Sequence, residues 1–512
     1  MSAWTEGYVA DINYTHGYYN ELDPARVSMA FTNAGLETPK TGVACELGFG
    51  HGLSTNIHAA ATVVEWHGTD FNPAQTAFAR ELAEISGNGA QLFDQSFVDF
   101  CKRDDLPEFD FIGLHGIWSW ISHDNQAVIV DFVRRKLKVG GVLYISYNCL
   151  PGWAPMVPVR DLLTQYADSM TAPGIGLPQR IDSALDFADK LLETNASYFA
   201  AYPRVGERLK SLRSQHRNYL VHEYFNRNWE PTNFTSMAKL LGEAKLSFAC
   251  SAHYPDHIAA INLTPQQTEI LADIQDPIFQ QSVRDIMVNQ NFRRDYWVKG
   301  ARHLTPLQRS EAMRRPRVVL VTPPKNVEMK LAGSLIEGSL SEEVYAPLLA
   351  ILADFKPHTI GELEQALGDR NVSLQQIFEA ALILIGKGNL MLAQEPADVA
   401  FATEHSQRLN IALFEHARGS EDINFLASPL TGAGIQAPRL TQLFLLAHSQ
   451  GKRGVAALTD FVWGLLASQG QRMVREGKTL ETAEDNAAEV GKLAQTFEND
   501  YLPMYRALGV IS

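Results

Sequence analysis

The sequence predicts an α/β protein whose N-terminal half is built on a doubly wound, mainly parallel sheet. Between Thr41 and Asn148, short apolar runs alternate with segments of helical periodicity, as in sheets with crossover helices. In such sheets, ligands bind beyond the carboxyl ends of the strands. Residues of unusual chemistry stand at those ends: Gly48 to Gly52, Asp70, Ser96 and Phe97, His115 to Trp120, and Tyr147 with Asn148.

The elements of this sheet follow from apolar runs and amphipathic periodicity. Strands are expected at residues 43–47, 63–67, 91–93, 109–114 and 142–147. Helices are expected at residues 24–36, 73–86 and 125–137. A later helix at residues 232–243 and two strands at 246–252 and 258–263 are expected to complete the same sheet.

The first predicted strand runs directly into a glycine-rich turn that extends from Gly48 to Gly52. Glycine permits a positive φ and lets a ligand approach the backbone closely. Asp70 ends the second strand, 20 residues after Gly50, where a carboxylate can bind ribose hydroxyls. The dinucleotide fingerprint G-x-G-x-x-G needs a glycine where Leu53 stands, so the pattern is instead E-x-G-x-G-x-G, beginning at Glu46.

The composition of the chain indicates which kinds of partner it binds and in which cellular compartment it works. The 58 acidic residues outnumber the 44 basic ones and give a net charge of −14, which argues against nucleic acid as a partner. The cysteines lack a C-x-x-C pair, so reduced thiols and no metal site are expected. The N-terminus lacks the pattern of a signal peptide, and no apolar run is long enough to span a bilayer. A cytoplasmic protein is therefore expected.

The rest of the chain divides into further regions. Residues 1–265 are interpreted as the core, with a helical lid inserted at about 151–228 that would shape the substrate site. Residues 325–398 have the element order of a winged helix, but the third helix carries no basic residue, which argues against DNA binding. Residues 399–512 are expected to form a mostly helical domain.

Residues 265–320 are expected to be helical and include the basic stretches 292–304 and 313–319. These stretches indicate either a solvated or interdomain salt-bridged face, or a docking site for an anionic substrate.

Several motifs resemble those of the class I S-adenosylmethionine (SAM) methyltransferases. That resemblance rests on ELGFGHG (46–52), Asp70, FDFIGLHGIWSW (109–120) and LKVGGVLYISYN (137–148). Four other peptides resemble bacterial methyltransferases with a methyltransferase regulatory domain, which would here span 216–302: YNCLPGW (147–153), HEYFNRNWEP (222–231), FRRDYWVKG (292–300) and SPLTGAGI (428–435). Some members of that group methylate lysines of bacterial outer-membrane proteins.

The resemblance implies a Rossmann-like sheet, SAM as the cofactor and S-adenosylhomocysteine as the product. It also implies that Gly48, Gly50 and Gly52 pass beside the methionine moiety of SAM, with Glu46 holding the turn. Asp70 would bind the ribose hydroxyls, and Ser96 and Phe97 would border the adenine. His115 and Gly116 would face the sulfonium side. The N/D-P-P-Y motif of enzymes that methylate planar amines is replaced by LHGIW, which disfavours such acceptors.

The resemblance favours methyl transfer to a protein lysine, with a glycan or small metabolite as the alternative acceptor. A third alternative is a binding protein that keeps the fold without turnover. A lysine must lose its proton before attack, and desolvation in an aromatic pocket lowers its pKa. Aromatic candidates for that pocket are Tyr14, Tyr18, Trp118, Trp120, Tyr147 and Trp153.

The candidate catalytic residues each have a structural alternative. His115, His222 and Glu223 are candidate proton acceptors or hydrogen-bond anchors, although His115 could instead cap a strand and the other two could brace the lid. Tyr18 belongs to an N-terminal aromatic cluster that either packs on the sheet or covers the sulfonium, where an aromatic face stabilises a cation.

Overall fold

A computed structural model describes residues 15–172 and 174–511 of the chain. In this part of the chain, seven strands form one sheet in the order β3-β2-β1-β4-β5-β7-β6. The strands β1 to β5 are parallel, whereas β7 runs antiparallel to both β5 and β6. The strands are β1 (Val43–Leu47), β2 (Glu65–Asp70), β3 (Gln91–Asp94), β4 (Phe109–Leu114), β5 (Leu137–Asn148), β6 (Ser247–Ser251) and β7 (Phe292–Val298). The α/β class is confirmed.

Both faces of this sheet are buried. On β4, Phe111 packs into one hydrophobic core and its neighbour Ile112 packs into the core on the opposite face. Burial on both sides explains why β4 and residues 142–147 of the fifth strand are nearly continuous apolar runs. The first helices of the fold are α1 (Val27–Asn33), α2 (Leu53–Ala61), α3 (Pro73–Ser86), α4 (Phe97–Cys101) and α5 (His123–Lys136).

A helical insertion follows β5 and has a hydrophobic core of its own. Leu163, Leu185 and Leu209 are among the side chains buried in it. Its helices are α6 (Leu150–Trp153), α7 (Val157–Ser169), α8 (Leu177–Glu193), α9 (Ser197–Ala201), α10 (Pro203–Leu212) and α11 (Arg217–Tyr224). The helical character that the sequence predicts for residues 151–228 is therefore confirmed.

The prediction for the last strand of the sheet was wrong. Residues 258–263 contain the short helix α13 (Ala259–Asn262), and the strand that joins β5 to β6 is β7, within a region expected to be helical. The sheet thus extends past residue 265, the expected end of the core. The other helices here are α12 (Phe234–Gly242), α14 (Pro265–Asp273) and α15 (Pro277–Met287).

Charged residues inside β7 concealed this strand in the sequence. The Arg293 side chain is only 4% exposed; its Nη1 lies 2.6 Å from Asp285 Oδ1 and its Nε lies 2.9 Å from Asp295 Oδ2. Tyr147 on β5 donates a 2.8 Å hydrogen bond to the same Asp295. Arg294 pairs with Glu21 at 2.7 Å. These two arginines of the basic stretch therefore form internal salt bridges.

A second, three-stranded sheet contains β8 (Arg317–Leu320), β11 (His358–Thr359) and β12 (Leu390–Leu392), with β8 in the centre. Because β8 is its central strand, this unit begins before residue 325, where the sequence placed its start. The remaining elements of this region are α16 (Pro306–Arg314), the hairpin of β9 (Lys330–Ala332) and β10 (Glu337–Ser339), α17 (Glu342–Leu352), α18 (Ile360–Ala366) and α19 (Leu374–Gly386).

The C-terminal region is mostly helical and contains two hairpins. It comprises α20 (Pro396–His416), β13 (Phe425–Ser428) with β14 (Ala433–Gln436), α21 (Arg439–Ser449), α22 (Val455–Ser468), β15 (Val474–Arg475) with β16 (Lys478–Thr479), α23 (Ala483–Thr496) and α24 (Leu502–Ala507). Across residues 15–172 and 174–511, no helix combines the length and apolar character that crossing a membrane requires.

The buried ion pairs of β7 lead to a stability prediction. Replacing Arg293 by Met leaves the carboxylates of Asp285 and Asp295 buried without their cation, so we expect the free energy of unfolding to fall by about 3 kcal/mol. Urea denaturation followed by tryptophan fluorescence measures this change. Arg472→Met, which breaks an exposed ion pair with Glu481, is the matched control and should change stability by less than about 1 kcal/mol. Equal losses in both variants would contradict the prediction.

Candidate active site

The glycine turn after β1 has the backbone conformation for which glycine is required. Gly48, Gly50 and Gly52 have φ values of +77°, +59° and +66°, all in the left-handed region. The turn leads directly into α2, for which Gly52 is the N-terminal cap. A Cβ atom built on Gly50 meets no atom within 4 Å, so the backbone at this position faces open space.

Two carboxylates hold this turn in place. Glu46, at the end of β1, accepts a hydrogen bond from the Thr55 hydroxyl in the first turn of α2. Asp70, at the end of β2, accepts a 2.8 Å hydrogen bond from the amide of Gly50 and a 2.9 Å bond from the amide of Asn72. The turn is therefore tied to the strand on each side and to the helix that follows.

A cavity of about 510 Å³ opens above this edge of the sheet. Most of the residues predicted to bind the cofactor line it together, although β1, β2 and the start of α4 supply them from separate parts of the chain: Glu46, Gly48, Gly50, Asp70, Ser96 and Phe97. Ser96 also caps α4, because its hydroxyl accepts a hydrogen bond from the Asp99 amide.

His115 forms the next wall of the cavity, beyond the end of β4. Its Nδ1 lies 2.7 Å from the Tyr144 hydroxyl, and its ring stacks on Tyr19 with 3.6 Å between ring centroids. Burial lowers the pKa of His115 to about 4, despite the opposing effect of Glu21. The imidazole is therefore neutral at neutral pH and is a weak proton acceptor.

The helical insertion supplies the outer wall of the cavity. His222 and Glu223 on α11 both line it, together with Tyr219 one helical turn earlier. The guanidinium of Arg208 lies 3.7 Å from the ring centre of Trp153, and its Nε donates to the Tyr224 hydroxyl at 3.1 Å. His222 is buried, whereas Glu223 and Tyr219 are partly exposed.

Two predicted site residues do not line the cavity. Tyr18 points away from it, and its hydroxyl accepts a 2.7 Å hydrogen bond from the Gly434 amide. Adjacent side chains of an extended segment point to opposite sides, so the neighbouring Tyr19 lines the cavity instead. Gly52 faces α3: a Cβ atom there would lie 2.6 Å from that of Ala79, so this glycine permits close packing of the two helices.

Only some of the aromatic residues predicted to form the acceptor pocket line the cavity. Trp120 and Trp153 line the cavity, whereas Trp118 and Tyr147 are buried in the core beneath it. Tyr14 lies outside the described residues.

The two carboxylates at the strand ends are both buried. Desolvation raises the pKa of Asp70 to about 7, although the amides of Asn72 and Gly50 oppose this shift. Desolvation likewise raises the pKa of Glu46 to about 7, against the Thr55 hydrogen bond and with a smaller contribution from Asp70. A cationic ligand in the cavity would favour the ionised form of both groups.

Sequence reasoning missed several lining residues. Phe71 lines the cavity and could have been predicted from the sequence, because it directly follows the predicted ribose-binding Asp70. Arg208, Tyr219 and Asn291 also line the cavity but lie far along the chain from the glycine turn. No local pattern marks them, since only the placement of the insertion and of β7 brings them to the strand ends.

Comparisons with known proteins agree with this architecture. A family model described as "Predicted methyltransferase regulatory domain" matches residues 216–299. Protein sll1526 of Synechocystis sp. is 40% identical over 512 residues, covering 99% of each chain. Protein RP789 of Rickettsia prowazekii is 24% identical over 300 residues, or 56% of this chain and 53% of its own length.

Among solved structures, PKMT2 from Rickettsia typhi in complex with AdoHcy shares the fold with a TM-score of 0.70. The two sequences are 16% identical, and the match covers 97% of this chain and 99% of that one. The chain belongs to one family with sll1526, contains a segment that matches the methyltransferase regulatory domain model, and shares its fold with PKMT2. The matched residues 216–299 include α11, β6 and β7, so they contribute to both the cavity wall and the sheet.

The raised pKa of Glu46 leads to a pH-dependent stability prediction. Because burial raises this pKa from 4.5 to about 7, the group's stabilising contribution is complete below pH 4.5 and is lost as the pH rises through 7. In the cofactor-free protein, Glu46→Gln should therefore be more stable than wild type by about 3 kcal/mol at pH 8 and nearly equal at pH 5.

Urea denaturation at the two pH values measures the difference. Glu84→Gln, on the exposed side of α3, is the control and should match wild type at both. A Glu46→Gln variant that gains no stability between pH 5 and pH 8 would disprove the assigned burial of this charge.

Proposed function

We propose that the cavity at the strand ends binds SAM and that the enzyme transfers the methyl group to the side-chain nitrogen of a protein lysine. The observation that carries the cofactor site is the left-handed glycine turn under the cavity, with the Asp70 carboxylate bonded to the Gly50 amide beside it. That arrangement lets a ligand approach the backbone closely, with a carboxylate beside it to bind ribose hydroxyls.

The chemistry of the cavity wall supports a nucleoside ligand with a positive charge. Trp120 Nε1 and Asn148 Nδ2 are buried donors with no hydrogen-bond partner among the described residues, and both residues line the cavity. SAM offers acceptors on its carboxylate, ribose and adenine. The carboxyl groups of Glu46, Asp70 and Glu223 face the cavity, whereas its arginine, Arg208, is stacked on Trp153. This excess of carboxyl groups over basic groups in the cavity wall favours a ligand that carries a positive charge.

The role of the protein in methyl transfer is mainly alignment. SAM supplies a methyl group that its sulfonium has already activated, so the chain must hold the acceptor nitrogen in line and without its proton. We assign His115 to the sulfonium side, where its neutral ring adds no opposing charge. Its low pKa makes it a poor general base, so His222 on α11 is the better candidate for a proton acceptor.

The outer wall of the cavity and the fold both support a lysine side chain as the methyl acceptor. Trp120, Trp153 and Tyr219 line the cavity, as does Glu223, and this combination of aromatic rings and a carboxylate suits an alkyl chain that ends in an amine. Desolvation there would lower the pKa of the amine. The similarity to protein-lysine methyltransferase PKMT2 extends over nearly the whole chain, including the insertion and the C-terminal region, and supports the same class of acceptor.

Calorimetric titration with SAM and S-adenosylhomocysteine tests the cofactor site. Asp70→Ala removes the ribose acceptor and should weaken binding by at least about tenfold. Gly50→Val places a branched side chain at a positive φ against the ligand and should abolish binding. Asp94→Ala and Gly89→Val are matched controls: Asp94 ends the neighbouring strand, and Gly89 has a φ of +74° with open space around it.

Both controls should bind as wild type does, because neither residue lines the cavity. If wild type bound neither ligand, the cofactor assignment would be wrong. If the controls lost affinity as well, the effect would come from folding rather than from the site.

Radiolabelled methyl transfer tests the acceptor. Wild type should label lysine residues in a bacterial lysate, with the label stable to mild acid and alkali as N-methylation is. Glu223→Gln should raise the KM for the labelled protein by about tenfold and leave the affinity for SAM unchanged. Glu230→Gln, whose exposed partner is His123, is the control. Label that appears only in the small-molecule fraction would overturn the lysine assignment in favour of a metabolite.

A further inference from the structure

Residues 15–19 lie between the cavity and the C-terminal region and contact both. Thr15, Gly17 and Tyr19 line the cavity, whereas His16 and Tyr18 contact residues of the C-terminal region. Alternate residues of this segment therefore face different surroundings, the cavity and the C-terminal region. One short segment therefore serves as a wall of the cavity and as a contact surface for residues some 400 positions later.

Tyr18 is the main anchor on the C-terminal side. Its hydroxyl accepts the amide hydrogen of Gly434 on β14, and its ring packs against Phe425 on β13 with 4.7 Å between centroids. The fit against β14 is tight, because a Cβ atom built on Gly434 would lie only 2.7 Å from the Tyr18 ring. The absence of a side chain at residue 434 thus makes room for this tyrosine.

His16 is the second anchor. Its Nδ1 lies 2.9 Å from Asp422 Oδ2, and the other oxygen of Asp422 lies 2.8 Å from Nε2 of His416 on α20. The ring of His16 also packs against that of His51 in the glycine turn, with 4.0 Å between centroids and 32° between the ring planes. The segment is therefore held by the C-terminal region on one side and by the cofactor turn on the other.

Tyr19 transmits this anchoring to the cavity. Its amide donates a 3.0 Å hydrogen bond to the Ser54 hydroxyl at the start of α2, and its ring stacks on His115. Because Tyr18 and Tyr19 are consecutive residues, a change that displaces the backbone of Tyr18 also moves Tyr19 against His115.

We propose that the β13–β14 hairpin and Asp422 hold residues 15–19 as a wall of the SAM site, so that the C-terminal region completes cofactor binding. Gly434, Asp422 and Tyr18 are then positioning residues that act through Tyr19 and touch no cofactor themselves. This inference rests on the proposed function, because it takes the ligand of the cavity to be SAM.

The test is Gly434→Ala in the full-length protein. Residue 434 lies in a strand, so the backbone accepts alanine, and the added methyl group acts through its clash with Tyr18. We expect the Kd for SAM and its dissociation rate each to rise by about tenfold. Tyr18→Phe, which removes only the hydroxyl that accepts from Gly434, should produce a smaller change in the same direction.

Tyr505→Phe is the matched control, since its hydroxyl donates a 2.7 Å hydrogen bond to Gln436 on the same strand but does not contact residues 15–19. It should bind SAM as wild type does. Normal SAM affinity in Gly434→Ala, or equal losses in Gly434→Ala and Tyr505→Phe, would overturn the inference.

Hydrogen exchange separates this inference from the proposed function, because it needs no ligand. Peptides that cover residues 15–19 should exchange about tenfold faster in Gly434→Ala than in wild type or Tyr505→Phe. Unchanged exchange would show that the C-terminal region does not hold the segment. If wild type fails to bind SAM but Gly434→Ala still exchanges faster than wild type at residues 15–19, the failure belongs to the cofactor proposal and not to this inference.

Discussion

The left-handed turn after β1 is the constraint on which the site depends. Three alternate glycines adopt positive φ between a buried strand and a buried helix, and two carboxylates tie the turn to its surroundings. Because β2 and α2 are fixed to the same turn, the cavity has a rigid floor. Any larger residue at Gly50 would occupy the space above that floor.

Several ionisable side chains are buried in this structure, and their partners differ. Glu46 and Asp70 have their pKa values raised by desolvation, which is a cost that a cation in the cavity would offset. Arg293, by contrast, is already neutralised by two aspartates within the protein and leaves no charge for a ligand. Similar residue types thus have different roles according to what surrounds them.

The regulatory domain and the C-terminal region are integrated with the core. The residues matched by the regulatory-domain model include α11 with His222 and Glu223, and two strands of the central sheet. The C-terminal hairpin reaches the segment that carries Tyr19. The cavity is consequently assembled from parts of the chain that begin at residue 15 and are supported by residues beyond 420.

The sequence by itself determined the features that depend on near neighbours. Apolar periodicity placed β1 to β5 and the helices α1, α3, α5 and α12, and the spacing of the glycines and Asp70 located the floor of the cavity. It could not reveal β7, because the three charged residues of that strand, Arg293, Arg294 and Asp295, are paired within the protein, whereas in the sequence they are typical of a solvated surface. Only the tertiary structure decided that Tyr19 rather than Tyr18 faces the cavity and that Gly52 serves helix packing, since side-chain direction depends on what packs against each side of the chain.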